Sequence, residues 1–291
     1  MSTGAKREID SVTGVETTGH EWDGIKELNK PLPRWWVWTF YATIVWSIGY
    51  WIVYPAWPTL TDYTRGLWGY SQRATVAQQI NDARAAQGGM RDKLDKTPLA
   101  DVRKDADLLR FAMAGGKASF QTNCAPCHGR GAEGFIGYPN LNDDDWLWGG
   151  KIEEIYDTIQ YGIRSGHAQA RQSQMPRYGL DELLTAQQID SVAEYVLSLS
   201  GKATNPAAVD GGKKIFAEQC AGCHGADAKG IQKDGSPNLT DGLWLHGGSK
   251  AQVVESIRTG RGSQMPWWVG RLDQVTLKSL AVYVHSLGGG K

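Results

Sequence analysis

All four cysteines of the 291-residue chain fall in two copies of one pattern, Cys124-Ala-Pro-Cys127-His128 and Cys220-Ala-Gly-Cys223-His224. In each copy two thiols stand three positions apart, on one side of a helical turn, and a histidine follows at once. That spacing reads as c-type haem attachment. The two sulfurs can reach vinyl groups on neighbouring pyrrole rings and form thioethers, and the histidine is then held under the iron. Other uses of paired cysteines fit less well. A structural zinc site wants Cys₄ or Cys₂His₂ ligation, and His167 and His246 supply no matching pair for each half. A thioredoxin-like pair expects a βαβ context, which is absent. A disulfide inside each pair leaves the adjacent histidine unexplained.

The elements around the motifs repeat in the same order. Gly116, Phe120 and Cys124 stand at i, i+4 and i+8, as do Gly212, Phe216 and Cys220, so each set shares one helix face. After each motif come Pro139-Asn140-Leu141 or Pro237-Asn238-Leu239, then Trp146 or Trp244, then a Gly-Gly pair. A helical apolar run follows (Ile152, Ile155, Ile159; Val253, Val254, Ile257), ending in Gly162 or Gly260. Both halves then read Ser-Gln-Met-Pro, at 173–176 and 263–266, and finish on a helix with Tyr195-Val196 or Tyr283-Val284. The second half lacks eight residues just before its methionine.

This order resembles the class I cytochrome c fold, twice over, across 116–201 and 208–291. The resemblance implies an N-terminal helix crossing a C-terminal one within each repeat: Gly116 and Phe120 would meet Tyr195, and Gly212 and Phe216 would meet Tyr283. Met175 and Met265 are the candidate distal ligands, so His128 and Met175 would hold the first iron and His224 and Met265 the second. Thioether sulfur is a soft ligand, and His/Met ligation raises the reduction potential. With both axial positions filled, these haems suit electron transfer rather than catalysis. His167, in the eight-residue insert, is the rival ligand in the first repeat. The family likeness also gives each proximal histidine a backbone carbonyl partner, at Pro139 and Pro237. Trp146 and Trp244 are read as core residues or as neighbours of a haem propionate. A core of about 85 residues is marginal alone, so two covalently attached haem c groups should form much of each interior.

Trp35 to Tyr54 is a 20-residue run without a charge, enough for one membrane crossing. Trp35, Trp36 and Trp38 mark one end, and Tyr50, Trp51, Tyr54 and Trp57 the other, as an aromatic belt does. A cleaved signal peptide fits poorly: the run starts late, is long for such a region and lacks a small-residue cleavage site. The parts expected are a cytoplasmic tail (1–34), a transmembrane helix (35–57), a periplasmic linker or helical spacer (58–115) and the two haem domains. Residues 72–86 of the linker read as helix, Gly88-Gly89 as a break and Pro98 as a new start; the segment is read as a spacer or as a lid on a partner. Thr39, Thr43 and Ser47 recur every four residues, a stripe that suits contact with another transmembrane helix. Orientation follows from the family likeness, because covalent haem c is attached on the outer face of the bacterial inner membrane. The expected fold is mainly α: one N-terminal transmembrane helix followed by two tandem class I cytochrome c domains.

Thirty-one Lys and Arg balance 31 Asp and Glu. That argues against a nucleic-acid-binding protein, and ordinary apolar content argues against a disordered chain. The balance hides a difference: residues 116–201 carry 6 basic and 11 acidic groups, residues 202–291 carry 11 and 7. A basic donor would be steered toward the acidic repeat, with Asp143, Asp144 and Asp145 as the expected docking residues.

The stretch from His20-Glu21-Trp22-Asp23-Gly24-Ile25 to Pro31-Leu32-Pro33-Arg34-Trp35-Trp36, with the single span and the two haem repeats, resembles the di-haem subunit III family of cbb3-type cytochrome c oxidases. The resemblance implies electrons accepted from a soluble cytochrome c and passed toward a mono-haem c subunit and a catalytic haem–copper subunit that reduces oxygen to water. The chain itself would hold no catalytic site. Two alternatives are a di-haem cytochrome subunit of a periplasmic dehydrogenase and a di-haem peroxidase, the second of which needs a haem that can lose its distal ligand.

Overall fold

The computed structural model describes residues 7–288 and divides them into two compact units, broken after residue 85. In the first unit, β1 (Thr17–Trp22) and β2 (Ile25–Leu28) form an antiparallel hairpin. Its turn is Asp23-Gly24, with φ of 51° and 85°, the left-handed pair that a tight two-residue hairpin turn requires. The sequence expectation had placed only a tail here. The long helix α1 (Arg34–Val53) follows, with no buried residue and an apolar character that allows a membrane crossing. The hydroxyls of Thr39, Thr43 and Ser47 donate to the carbonyls of Trp35, Phe40 and Thr43 at 2.7–2.9 Å. Each polar group on the stripe is therefore satisfied within its own helix. Helix α2 (Gln72–Ala86) occupies the stretch read as helical.

The second unit contains α3 (Gly88–Lys96), α4 (Leu99–Val102), α5 (Ala106–Asn123), α6 (Ala125–His128), α7 (Ile152–Tyr161), α8 (Ala186–Ser198), α9 (Val209–Gln219), α10 (Ala221–His224), α11 (Lys250–Thr259) and α12 (Gln274–Leu287). Local chemistry sets several starts. Asp105 accepts the N–H groups of Asp107 and Leu108, Thr185 and Ser249 form capping boxes with Gln188 and Gln252, and Asp273 accepts from Thr276.

Two hydrophobic cores form, and neither is built from one repeat. The first combines α3, α4, α5 and α7 with α12; the second combines α8 with α9 and α11. A β carbon on Gly116 would lie 2.2 Å from the Ser279 carbonyl oxygen and 2.6 Å from Tyr283 Cβ. One on Gly212 would lie 2.0 Å from the Ser191 oxygen and 2.9 Å from Tyr195 Cβ. The rings repeat the pattern: Phe120 meets Tyr283 at 5.4 Å, and Phe216 meets Tyr195 at 5.1 Å. The expected pairing within each repeat is thus corrected. Each N-terminal helix is crossed by the C-terminal helix of the other repeat. The physical reason lies in the repeats themselves, since both offer a glycine where the helices touch and both C-terminal helices offer a tyrosine.

The expected linker is corrected as well. Leu94 and Val102 are fully buried and Leu99 is buried in the first core. Helices α3 and α4 therefore belong to the first lobe, and α5 starts ten residues before the boundary expected at 116.

Candidate functional site

Both Cys-x-x-Cys-His motifs fold alike. Helix α5 runs into Cys124, whose N–H donates to the Phe120 carbonyl, and α6 then carries Cys127 and His128 one turn on. Cys220, Cys223 and His224 repeat this on α9 and α10. In each pair the first cysteine is partly or fully buried and the second is exposed; no disulfide links them. Burial pushes the Cys124 thiol up to about 12 and that of Cys220 up to about 11, aided by the neighbouring cysteine.

His128 Nδ1 lies 3.1 Å from the Pro139 carbonyl oxygen, and His224 Nδ1 lies 3.1 Å from that of Pro237. A carbonyl can only accept, so Nδ1–H donates in both rings and Nε2 keeps its lone pair. Burial lowers the pKa of both histidines, which favours the neutral imidazole that a metal needs. The expected carbonyl partners are where the family likeness put them.

The methionines follow the crossed helices. Met265 packs against the first core, which holds Cys124, and Met175 packs against the second, which holds Cys220. This differs from the expected pairing of Met175 with the first motif and Met265 with the second. Each methionine reaches the other repeat's lobe along a short extended segment held by isolated β-bridges, Ile163 with Met265 and Met175 with Arg261. Ile163 and Met265 exchange two backbone hydrogen bonds of 3.0 Å, and Met175 N–H donates to the Arg261 carbonyl at 3.0 Å. Gly162 and Gly260 allow the crossing: a β carbon at Gly162 would lie 2.3 Å from the Met265 oxygen, and one at Gly260 would lie 2.5 Å from the Met175 oxygen. His167 stays on its own loop, where Nδ1 accepts the Gln169 N–H at 3.1 Å and the ring stacks on Tyr161.

The residues fit a haem. Trp146 and Trp244 each bury an indole Nε1 that has no hydrogen-bond partner among the described residues. A buried orphan donor is rare, and one at the same place in both lobes fits an acidic group such as a haem propionate. Packed against the first core with Trp146 are Cys124 and Met265, and against the second with Trp244 is Met175. These elements define the chain as a cytochrome c-type protein with a membrane-compatible helix.

The comparisons with known proteins agree. A family model described as the N-terminal domain of cytochrome oxidase-cbb3, FixP, matches residues 14–61. Another, described as cytochrome c oxidase, cbb3-type, subunit III, matches residues 111–196 and 207–284. A cbb3-type cytochrome c oxidase subunit FixP of Bradyrhizobium sp. is 56% identical over 98% of both chains. The subunit of that name from Azorhizobium caulinodans is 53% identical over 97% of this chain and 96% of its own. Subunit CcoP from Azospirillum brasilense is 50% identical over 99% of this chain and 100% of its own. The chain belongs to the subunit III family of cbb3-type cytochrome c oxidases. It is an electron-transfer component of an oxidoreductase complex that binds haem c, and the dehydrogenase and peroxidase readings find no support among these relatives.

The acidic cluster is less open than the sequence implies. Asp143 and Asp145 are half-buried, the first accepting the N–H of the second, and Asp144 alone is exposed. Burial, with Asp241 and Asp143 nearby, raises the Asp145 carboxyl to about 6. The charge difference between repeats also fades once segments are grouped by lobe. Residues 86–163 with 265–288 carry 11 basic and 13 acidic groups, and residues 174–262 carry 9 and 10.

Proposed function

We propose that the chain carries two covalently attached haem c groups with exchanged methionine ligands. Cys124 and Cys127 hold the first, with His128 and Met265 on its iron; Cys220 and Cys223 hold the second, with His224 and Met175. The observation that carries this is the packing of each methionine against the other repeat's motif core. The haems supply one-electron redox chemistry; the chain supplies the setting. His128 and His224 are fixed in orientation by the Pro139 and Pro237 carbonyls, which makes Nε2 a better donor. Trp146 and Trp244 offer their orphan N–H groups to propionates. With a histidine and a methionine supplied to each iron, the chain would have no catalytic site of its own.

In this reading α1 crosses the bacterial inner membrane, residues 1–33 are cytoplasmic and both lobes are periplasmic. Electrons enter from a soluble cytochrome c and leave toward the mono-haem c subunit and the catalytic haem–copper subunit. Asp144 remains the exposed acidic residue for donor docking, with Asp143 and Asp145 behind it. The test is a mild-detergent pull-down of the chain from native membranes, followed by a reduced-minus-oxidised spectrum and metal analysis. Co-purification of b-type haem and copper, with oxygen consumption on reduced cytochrome c, is expected. Recovery of c-type haem with a dehydrogenase instead would overturn the assignment of partners.

A further inference from the structure

The eight-residue insert that distinguishes the first repeat begins at Arg164, a non-glycine residue held at φ 48°. Its loop is closed on itself. Arg164 N–H donates to the Arg171 carbonyl at 2.7 Å, and Arg171 N–H donates back to Gly162 at 3.2 Å. That closure aims the half-buried Arg164 side chain at both crossing segments. Nε donates to the Ser263 carbonyl at 2.7 Å, and Nη1 donates to the Ser173 carbonyl. Ser173 lies two residues before Met175, and Ser263 two residues before Met265. No ion pair to Arg164 occurs among the described residues. Its charge is spent on two backbone carbonyls in a partly desolvated setting. A guanidinium presents its donors in one rigid plane, so the two carbonyls it binds are fixed relative to each other.

We infer that Arg164 is a positioning residue shared by the two haem sites, joining the Met175 and Met265 segments so that both thioethers are aimed by one side chain. The inference rests on the exchanged ligation proposed above. A thioether is a weak ligand on a flexible side chain, so its hold on iron depends on where its backbone is kept. Loss of the Arg164 fork should loosen both methionines together, although Arg164 belongs to one repeat.

The experiment uses the full-length, haem-loaded chain in detergent and the conversion Arg164→Gln. In the reduced protein an iron-bound methionine gives its own strongly upfield-shifted methyl proton resonance, one set per haem, so the two sites are read separately. The expected result is broadening or loss of both sets, with both midpoint potentials falling and helical content unchanged. Arg164→Lys keeps the charge but not the fork, and should show a smaller loss at both sites. That variant serves equally if the glutamine protein does not accumulate. Arg177→Gln, which removes a surface pair with Asp181, is the control and should change neither set. Met175→Ala and Met265→Ala should each abolish one set. If they abolish none, the ligand reading fails and the role of Arg164 falls with it. If each abolishes one, yet the Arg164 variants alter one haem only or neither, the ligand reading stands and the shared positioning is wrong.

Discussion

The ring of Phe120 rests 5.4 Å from that of Tyr283, a residue of the last helix in the chain. The crossing at Gly116 is equally close, with Ser279 and Tyr283 filling the space a side chain would need. Each lobe is therefore completed by a segment that carries a methionine and the helix behind it, delivered from the other repeat. The arrangement is an exchange of equivalent elements within one chain, akin to domain swapping between protomers. Its consequence is that neither lobe is an independent unit.

Cutting the chain between the repeats should therefore fail to give a cytochrome. A fragment ending at residue 203 keeps the first motif but loses α12, exposing Phe120, Leu108 and Ala112, all fully buried in the intact chain. Burying a large apolar side chain contributes about 1.5–3 kcal/mol, and several are lost at once. Expressed with the c-haem attachment machinery, fragment 86–203 should be degraded or emerge with labile haem, whereas 86–288 should be stable. Limited proteolysis and haem staining check this; a stable, six-coordinate 86–203 would contradict the crossed fold.

The proposed exchange of ligands makes a separate demand. In a chain whose Cys220 and Cys223 are both alanine, only the first site retains covalent haem. There Met265→Ala should open the iron to carbon monoxide and lower its midpoint potential, because a neutral thioether favours reduced iron. Met175→Ala in the same background should leave both properties nearly unchanged. Carbon monoxide titration with redox potentiometry decides it, and the opposite ranking would restore pairing within each repeat.

The crossing needs a reason to be preferred, since the two C-terminal helices share their contact residues. Lys278 supplies one. Its ammonium donates to the carbonyls of Leu94, Asp95 and Thr97 at the end of α3, where a cation also suits the helix dipole. Nearby, Arg91 pairs with Asp273 at 2.9 Å, and Arg103 lies 3.1 Å from His285. In the register that aligns Tyr195 with Tyr283, the residue of α8 matching Lys278 is Asp190, which instead pairs with Lys250 at 2.8 Å. An α8 placed against α3 would turn a carboxylate toward carbonyl oxygens. Lys278→Asp should cost about 2 kcal/mol, as for a lost charged hydrogen bond, lowering Tm by about 4–8 °C. Lys278→Met, which keeps the stem, should cost less; calorimetry of the haem-loaded chain measures both.

These particulars mark where sequence reading stops. The motifs and α1 are legible because each depends on short-range spacing or on a run of apolar residues, whereas the Pro139 and Pro237 partners come only from the family likeness. The hairpin at Trp22-Asp23-Gly24-Ile25 rests on Asp-Gly between apolar residues, a strong turn signal, but strands of six and four residues are too short to stand out from a polar tail. The role of α3 and α4 is not legible because their apolar positions are few. The packing of Met175 and Met265 against each other's repeat is not legible. Two repeats with interchangeable Gly, Phe and Tyr contacts satisfy the same local rules whether crossed or not. What separates the two solutions is long-range: Lys278 against α3, and the buried Glu194 paired with Lys250 of α11.

Acid–base behaviour offers a last test, at Asp145. Burial comes first among its causes, followed by Asp241 and Asp143, and together they raise its carboxyl from the ordinary value near 3.8 to about 6. A raised folded-state pKa means that the native chain binds this proton more tightly than the unfolded one. Its contribution is full below pH 3.8 and is lost as pH rises through 6. Between those values the unfolded carboxyl ionises while the native one still holds its proton, so folding must take that proton up. The group is half-exposed, so solvent screening keeps the effect modest. Glu194 works in the opposite sense. Led by its bond to Lys250 and then Thr204, its carboxyl drops to about 2, so its contribution is present above pH 4.5 and fades as pH falls toward 2. Asp145→Asn should therefore raise Tm at pH 7 and leave it nearly unchanged at pH 4. Glu194→Gln should lower Tm at pH 7, with the deficit shrinking as pH falls toward 2. Thermal melts of both variants from pH 3 to pH 8 separate the two groups. An Asp145→Asn curve parallel to wild type throughout would show that this carboxyl is ordinary after all.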